Sequence, residues 1–193
     1  MTDKELLDLC MIKYISLTPA ESEHFCSLLK IKTFKRGESI HRIGKICNKA
    51  FFILEGCIRY YNIVDGEEIT GQFFFEGAWY SDYESFLLEI PSEQTIEAIE
   101  TTRVAILSKC DLNKLFIELP KFERFRRLMA ENAFMGLRKR TDTLTHLSTS
   151  ERYVQLSQNR PKVIQRVPQK YIASYLSIKP QSLSRIRREL LKK

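Results

Sequence analysis

With 193 residues, 44% of them hydrophobic and 11% aromatic, the chain has the length and apolar content of a folded protein with one large domain or two smaller ones. No run of about 18 apolar residues offers a membrane span, and the start MTDKELLDLC lacks the basic region and apolar core of a signal peptide, so a cytosolic protein without membrane contacts is expected. The net charge of +7 is lopsided: residues 151–193 hold 11 of the 31 Lys and Arg and only two acids, Glu151 and Glu189, which leaves this tail at +9 and the first 150 residues at −2.

The five cysteines, Cys10, Cys26, Cys47, Cys57 and Cys110, are odd in number and never form a CxxC pair. That spacing argues against a disulfide framework and against a zinc or iron-sulfur site, and suits small apolar core residues. No cofactor or metal is expected. The opening segment carries two short helix patterns. In the second, Thr18 caps, Pro19 takes the first helical position and Glu21 stands three residues after Thr18, as a capping box requires.

From about Ile31 to Leu107 the period turns extended, with runs such as AFFIL, CIRYY, ITGQFFF and RVAIL between turn signals at Arg36-Gly37, Ile43-Gly44, Glu55-Gly56, Asp65-Gly66 and Glu76-Gly77. Many short strands at such spacing predict an antiparallel sandwich or roll. Asp65-Gly66 predicts a tight hairpin, because Asp and Gly tolerate the positive φ it needs. Asp111 is read as the cap of a short helix ending near Pro120. A long helix follows from Lys121 to about His146, with an apolar stripe of Phe122, Phe125, Met129, Ala133, Leu137, Leu144 and Leu147 interrupted by Arg140. At 1.5 Å per residue it reaches about 40 Å, too long for a small β domain to cover alone, so its stripe packs within the monomer or against a second copy. Gly136 offers a place for two backbones to approach.

The basic tail resolves into a helix, a tight turn and a second helix. Counting from Gln169, Ile172, Leu176, Ile178, Leu183 and Ile186 fall at the fourth, eighth, tenth, fifteenth and eighteenth positions, the small Ala173 sits where two helices cross, and Pro180 begins the second helix. The ninth position, where a left-handed backbone favours Gly, is Ser177. With Leu183 and Ile186 inward, Gln181, Ser182, Arg185 and Arg188 turn outward. Arg185 is placed to contact guanine and Gln181 to read adenine or support it, with Lys179, Ser182, Arg187, Arg188, Lys192 and Lys193 meeting phosphates.

Along nearly its whole length the chain resembles the cyclic-AMP receptor protein and FNR (Crp/Fnr) superfamily of bacterial transcription regulators, through KRGESIHRIGK, AFFILEGCIRYY, the hairpin DGEE, TSERYVQL and the reader QKYIASYLSIKPQSLSRIRREL. The resemblance implies an α+β fold: an N-terminal β-roll like the cyclic-nucleotide-binding domain (residues 1–118), a long dimerisation helix (119–148) and a C-terminal helix-turn-helix (149–193) with a short or absent wing. VIQRV, residues 163–167, is read as an extended segment ahead of the reader. It also implies a non-enzymatic regulator that binds roughly palindromic duplex DNA as a homodimer and meets RNA polymerase.

The effector site departs from the family. Where cyclic-nucleotide binders carry Gly-Glu for the ribose and, about ten residues on, Arg for the phosphate, this chain reads Ser81-Asp82 and Ser92. Residues 60–102 contain ten acids and no Lys or Arg. A buried phosphate there would lack its cation, so tight binding of cyclic AMP is not expected. A small apolar pocket for another ligand would use Phe73, Phe75, Trp79, Tyr80, Ser81, Asp82, Tyr83 and Ser92; aromatic filling with no ligand is the alternative. Two other functions compete with DNA reading. A cupin-like metal enzyme is disfavoured because His24, His41 and His146 are isolated, whereas a small-ligand sensor acting through protein contacts remains open.

Overall fold

The computed structural model describes residues 1–190, which group into two compact units: residues 1–60 with 73–132, and residues 61–72 with those from 133 onward. The first unit begins with α1 (Asp3–Met11) and α2 (Pro19–Ser27). Both open with the same device. Thr2 and Thr18 accept the N–H of Glu5 and Glu21, whose carboxylates accept the N–H of Thr2 and Thr18 in return.

The strands are β1 (Lys30–Phe34), β2 (Ser39–His41), β3 (Lys49–Glu55), β4 (Cys57–Val64), β5 (Glu67–Phe75), β6 (Trp79–Tyr80), β7 (Thr95–Ala98) and β8 (Thr102–Ser108), with α3 (Tyr83–Leu88) between β6 and β7. They form two four-stranded antiparallel sheets, ordered β1-β8-β3-β6 and β2-β7-β4-β5. Both faces of β3 are covered, which explains why AFFIL is apolar throughout rather than alternating. Phe52 and Leu54 join a core with Phe25, Trp79, Phe122 and Phe125, while Phe51 and Ile53 pack with Ile58 and Ile96. At the β3–β4 turn Gly56 has φ 96°, and a Cβ there would stand 2.5 Å from Thr102 Oγ1 and 2.7 Å from the Thr101 carbonyl. Only glycine fits.

α4 (Lys109–Glu118) is capped by Ser108, not by Asp111. Ser108 Oγ accepts the Asp111 N–H and donates to the Asp111 carboxylate, so Asp111 lies inside the first turn, where its charge favours the helix N-terminus. α5 (Lys121–His146) spans the predicted range; its residues to Asn132 group with the first unit and those from Ala133 with the second.

The second unit contains the tip of the β4–β5 hairpin, where Asp65 and Gly66 take φ 51° and 79° as anticipated, together with α6 (Thr149–Asn159), α7 (Pro161–Arg166), α8 (Gln169–Tyr175) and α9 (Pro180–Leu190). VIQRV is therefore helical from Val163 to Arg166. Pro161 sets a helical start, and burial of Val163 and Val167 outweighs the extended preference of valine.

Candidate nucleic-acid interface and effector cassette

α8 and α9 cross over the side chains the spacing selects: Ile172, Ala173, Leu176, Leu183 and Ile186 are buried, and Ile178 is half-buried. Between them Ser177 takes φ 58°, the left-handed turn expected at that position. The chain reverses there through the Ile178 N–H, which donates to the Ala173 carbonyl at 3.0 Å. α9 then starts with Pro180, and the Lys179 carbonyl accepts the N–H groups of Ser182 and Leu183.

Burying Leu183 and Ile186 fixes what α9 presents. Gln181, Arg185 and Arg188 stand four and three residues apart on one face and are exposed, as is Lys179, while Ser182 is half-exposed. No carboxylate among the described residues pairs with Lys179, Arg185 or Arg188. Lys192 and Lys193 lie outside the described residues. Other arginines of this unit point inward. Arg152 donates to the carbonyls of Leu144, Leu147 and Leu176, and the Arg140 guanidinium lies 3.7 Å from the Tyr175 ring centroid and bonds the Tyr175 carbonyl. They brace the end of α8, which explains why Arg140 interrupts the apolar stripe of α5.

In the first unit the region of the predicted pocket is bonded to itself. Asp82, capping α3, accepts from the Ser85 N–H and from Ser92 Oγ at 2.5 Å, so the two positions that would hold ribose and phosphate hold each other. Ser92 Oγ also accepts the Gln94 N–H. Tyr60, Phe74 and Tyr80 stack with centroids 4.3 to 6.4 Å apart, and Tyr80 donates to Gln94 Oε1. Burial holds the Tyr80 pKa well above the ordinary tyrosine value, keeping that donor protonated. Ser81 donates to the Lys49 carbonyl. Trp79 faces the other way, into the core with Phe25 and Phe125, Phe73 is buried, Phe75 is half-buried, and Tyr83 is exposed. The predicted pocket residues thus divide between two faces of the sheet and its rim. Position 92 carries a hydroxyl and no cation, and that hydroxyl is bonded to the Asp82 carboxylate.

One charged pair escaped the sequence reading. Arg59 in β4, 1% exposed, donates through Nε and Nη2 to Glu97 Oε2 in β7 at 3.1 and 2.6 Å. It stands one residue before the stretch that lacks Lys and Arg. Alternation along CIRY, with Cys57 and Arg59 on one face, was the available signal for its inward direction. His41 Nε2 is buried with no hydrogen-bond partner among the described residues, and burial lowers the His41 pKa. Among the described residues no three His, Cys, Asp or Glu side chains gather as metal ligands, and no helix is long and apolar enough to cross a membrane.

Residues 31–118 match the family described as "cyclic nucleotide-binding domain". Among solved structures, FixK2 from Bradyrhizobium japonicum is 16% identical, covers 85% of each chain and superimposes with a TM-score of 0.72. A putative transcriptional regulator of the Crp/Fnr family from Eubacterium rectale is 18% identical over 91% of this chain and 84% of its own, with a TM-score of 0.71. The chain has the Crp/Fnr fold. A third Crp/Fnr-fold structure, the c-di-GMP-responsive regulator CLP of Xanthomonas campestris, is 16% identical over 88% of this chain and 90% of its own, with a TM-score of 0.71. Among curated proteins none matches in sequence. The resemblance drawn from the reader and roll motifs is therefore borne out as fold.

Proposed function

We propose that this protein is a sequence-specific, DNA-binding transcription regulator that works as a homodimer, without cyclic AMP as effector. The observation that supports it best is the face of α9, where Gln181, Arg185 and Arg188 project from a helix locked by Leu183 and Ile186 at the end of a +9 segment. A helix carrying donors in that arrangement suits the major groove: Arg185 takes guanine in a bidentate contact, Gln181 reads adenine or holds Arg185, and Lys179, Ser182 and Arg188 take phosphates. Two such helices related by a two-fold axis would read half-sites about one helical turn apart. RNA polymerase is the further partner this reading carries.

The test is duplex DNA binding by the whole protein over a salt series, on a site selected from random sequence. Affinity falling steeply with salt supports the reading. Replacing Arg185 by Ala is expected to weaken the selected site by about 1–3 kcal/mol and to flatten the preference at one base pair, whereas Lys179→Ala weakens all sequences alike. Binding that is indifferent to salt and sequence would overturn it. The alternative, a ligand sensor acting through protein contacts, gains nothing from a cassette in which Asp82 and Ser92 are bonded together. Calorimetric titration with cyclic AMP is expected to show no heat of binding up to millimolar concentration.

A further inference from the structure

Strand β5 lies at the edge of its sheet, next to β4 alone. Such an edge leaves every second N–H and C=O without a ladder partner, and proteins cover it. Here the second unit covers it with the first helix of the reader. Ser174, on α8, accepts the Thr70 N–H at 2.9 Å and donates to the Glu68 carbonyl at 2.6 Å. Residues 68 and 70 are two apart and so present their backbone groups on the same side of the strand. Two further along, the Gln72 side-chain oxygen accepts from the Arg160 guanidinium, between α6 and α7. One serine hydroxyl thus does what a neighbouring strand would do, using both its donor and its acceptor capacity. Thr70 is 1% exposed, so its N–H bond to Ser174 is the sheltered half of the pairing, while the bond to the Glu68 carbonyl is exposed.

We propose that the edge of β5 is the seat of the reader: Ser174 ties α8 to the tip of the β4–β5 hairpin so that hairpin and helix-turn-helix move as one body, already oriented for DNA. The hairpin takes Ser174 on α8 and leaves Gln181, Arg185 and Arg188 on α9 exposed, so the tie is compatible with a reading face that stays open. The tie lies wholly within the second unit, between residues 68–70 of β5 and Ser174 of α8. Ser174 is a positioning residue; it contributes to affinity by lowering the ordering that binding would otherwise require. This consequence for affinity rests on the DNA-reading proposal, whereas the tie itself does not.

The experiment uses the full chain and four variants, Ser174→Ala, Ser174→Thr, Gln72→Ala and, as a control bonded only within α6, Ser157→Ala. Amide hydrogen exchange of the DNA-free protein reads the tie directly. Exchange at Thr70 is expected to rise about tenfold or more in S174A, less in Q72A, and to stay at the wild-type rate in S174T and S157A. On the selected duplex S174A is expected to bind about tenfold more weakly with the slope of affinity against salt unchanged, because the phosphate contacts are intact and only their orientation is lost. Unprotected Thr70 in the wild type, or equal protection in S174A, overturns the seat. Equal or tighter DNA binding by S174A overturns its positioning role. A wild-type protein that ignores DNA would fell the proposed function and that role, with the Thr70 exchange still deciding the seat.

Discussion

At Ser177 a single backbone angle links the sequence to the reader. A side chain held at φ 58° costs about 1–2 kcal/mol relative to the right-handed region, and glycine returns part of that gain by losing more chain entropy on folding, about 0.5–1 kcal/mol. Ser177→Gly is therefore expected to stabilise by a fraction of a kcal/mol up to about 1 kcal/mol and to raise the thermal midpoint by about 1–3 °C, checked by calorimetry. Ser177→Val should lower it, since a β-branched side chain fits this region poorly. Arg59 represents the opposite case, a charge whose cost is hidden by its partner. Replacing Arg59 by Met leaves Glu97 buried without the guanidinium and should destabilise by about 3–5 kcal/mol, while R59M combined with Glu97→Leu should be clearly milder, as read from denaturant midpoints. A double variant as unstable as R59M would show that the pair's worth lies elsewhere than in mutual neutralisation.

At the scale of elements, capping ties α2 to acidity. Glu21 accepts the Thr18 N–H and the Lys121 ammonium at 2.7 and 2.8 Å, and hydrogen bonds from Lys121 and the Thr18 backbone hold its pKa down at about 2, below the ordinary 4.5. A pKa lowered by folding contributes stability that is complete above pH 4.5 and is lost as pH falls toward 2. Glu21→Gln should flatten the acid limb of the stability curve in that window, followed by circular dichroism. Elements of this kind were legible because the signal is local: both the Thr18 cap and the Asp65-Gly66 hairpin need only a few neighbouring residues. The extent of α5, the reversal at Ser177 and the inward set of the reader were legible for the same reason, each being fixed by spacing. The errors arose where distant packing decides. Ser108 outcompeted Asp111 as cap by one turn, Val163 was drawn into a helix by burial, and Trp79 and Tyr80, adjacent in sequence, went to opposite faces of β6. Local signals also could not reveal that Ser174 would meet residues about a hundred positions away, because nothing in a lone serine names its partner.

Across the whole molecule, segregated charge and one bare helix segment point to assembly. In the single chain every residue from 131 to 139 of α5 is exposed, including Phe134, Met135 and Leu137, and a Cβ placed on Gly136 would meet nothing within 4 Å. Three large apolar side chains within four residues form a patch that water disfavours, and in the proposed homodimer a second copy of the same helix would cover it symmetrically. The stripe read from sequence included Leu137 but not Phe134 or Met135. Under the proposed function, Phe134→Glu with Leu137→Glu should convert the proposed dimer to monomer in sedimentation velocity and weaken binding to a palindromic site far more than to a half-site. Gly136 separates the two ways in which such a helix could pair. In an isolated helix Gly136→Ala adds up to about 1 kcal/mol of helix propensity and meets no neighbour. If two helices cross at residue 136, the same methyl group forces their backbones apart, so G136A should raise helix stability at low protein concentration while weakening the dimer. A variant that is stabilised with an unchanged dimer constant would move the crossing away from Gly136 and leave Phe134 and Leu137 to carry the interface.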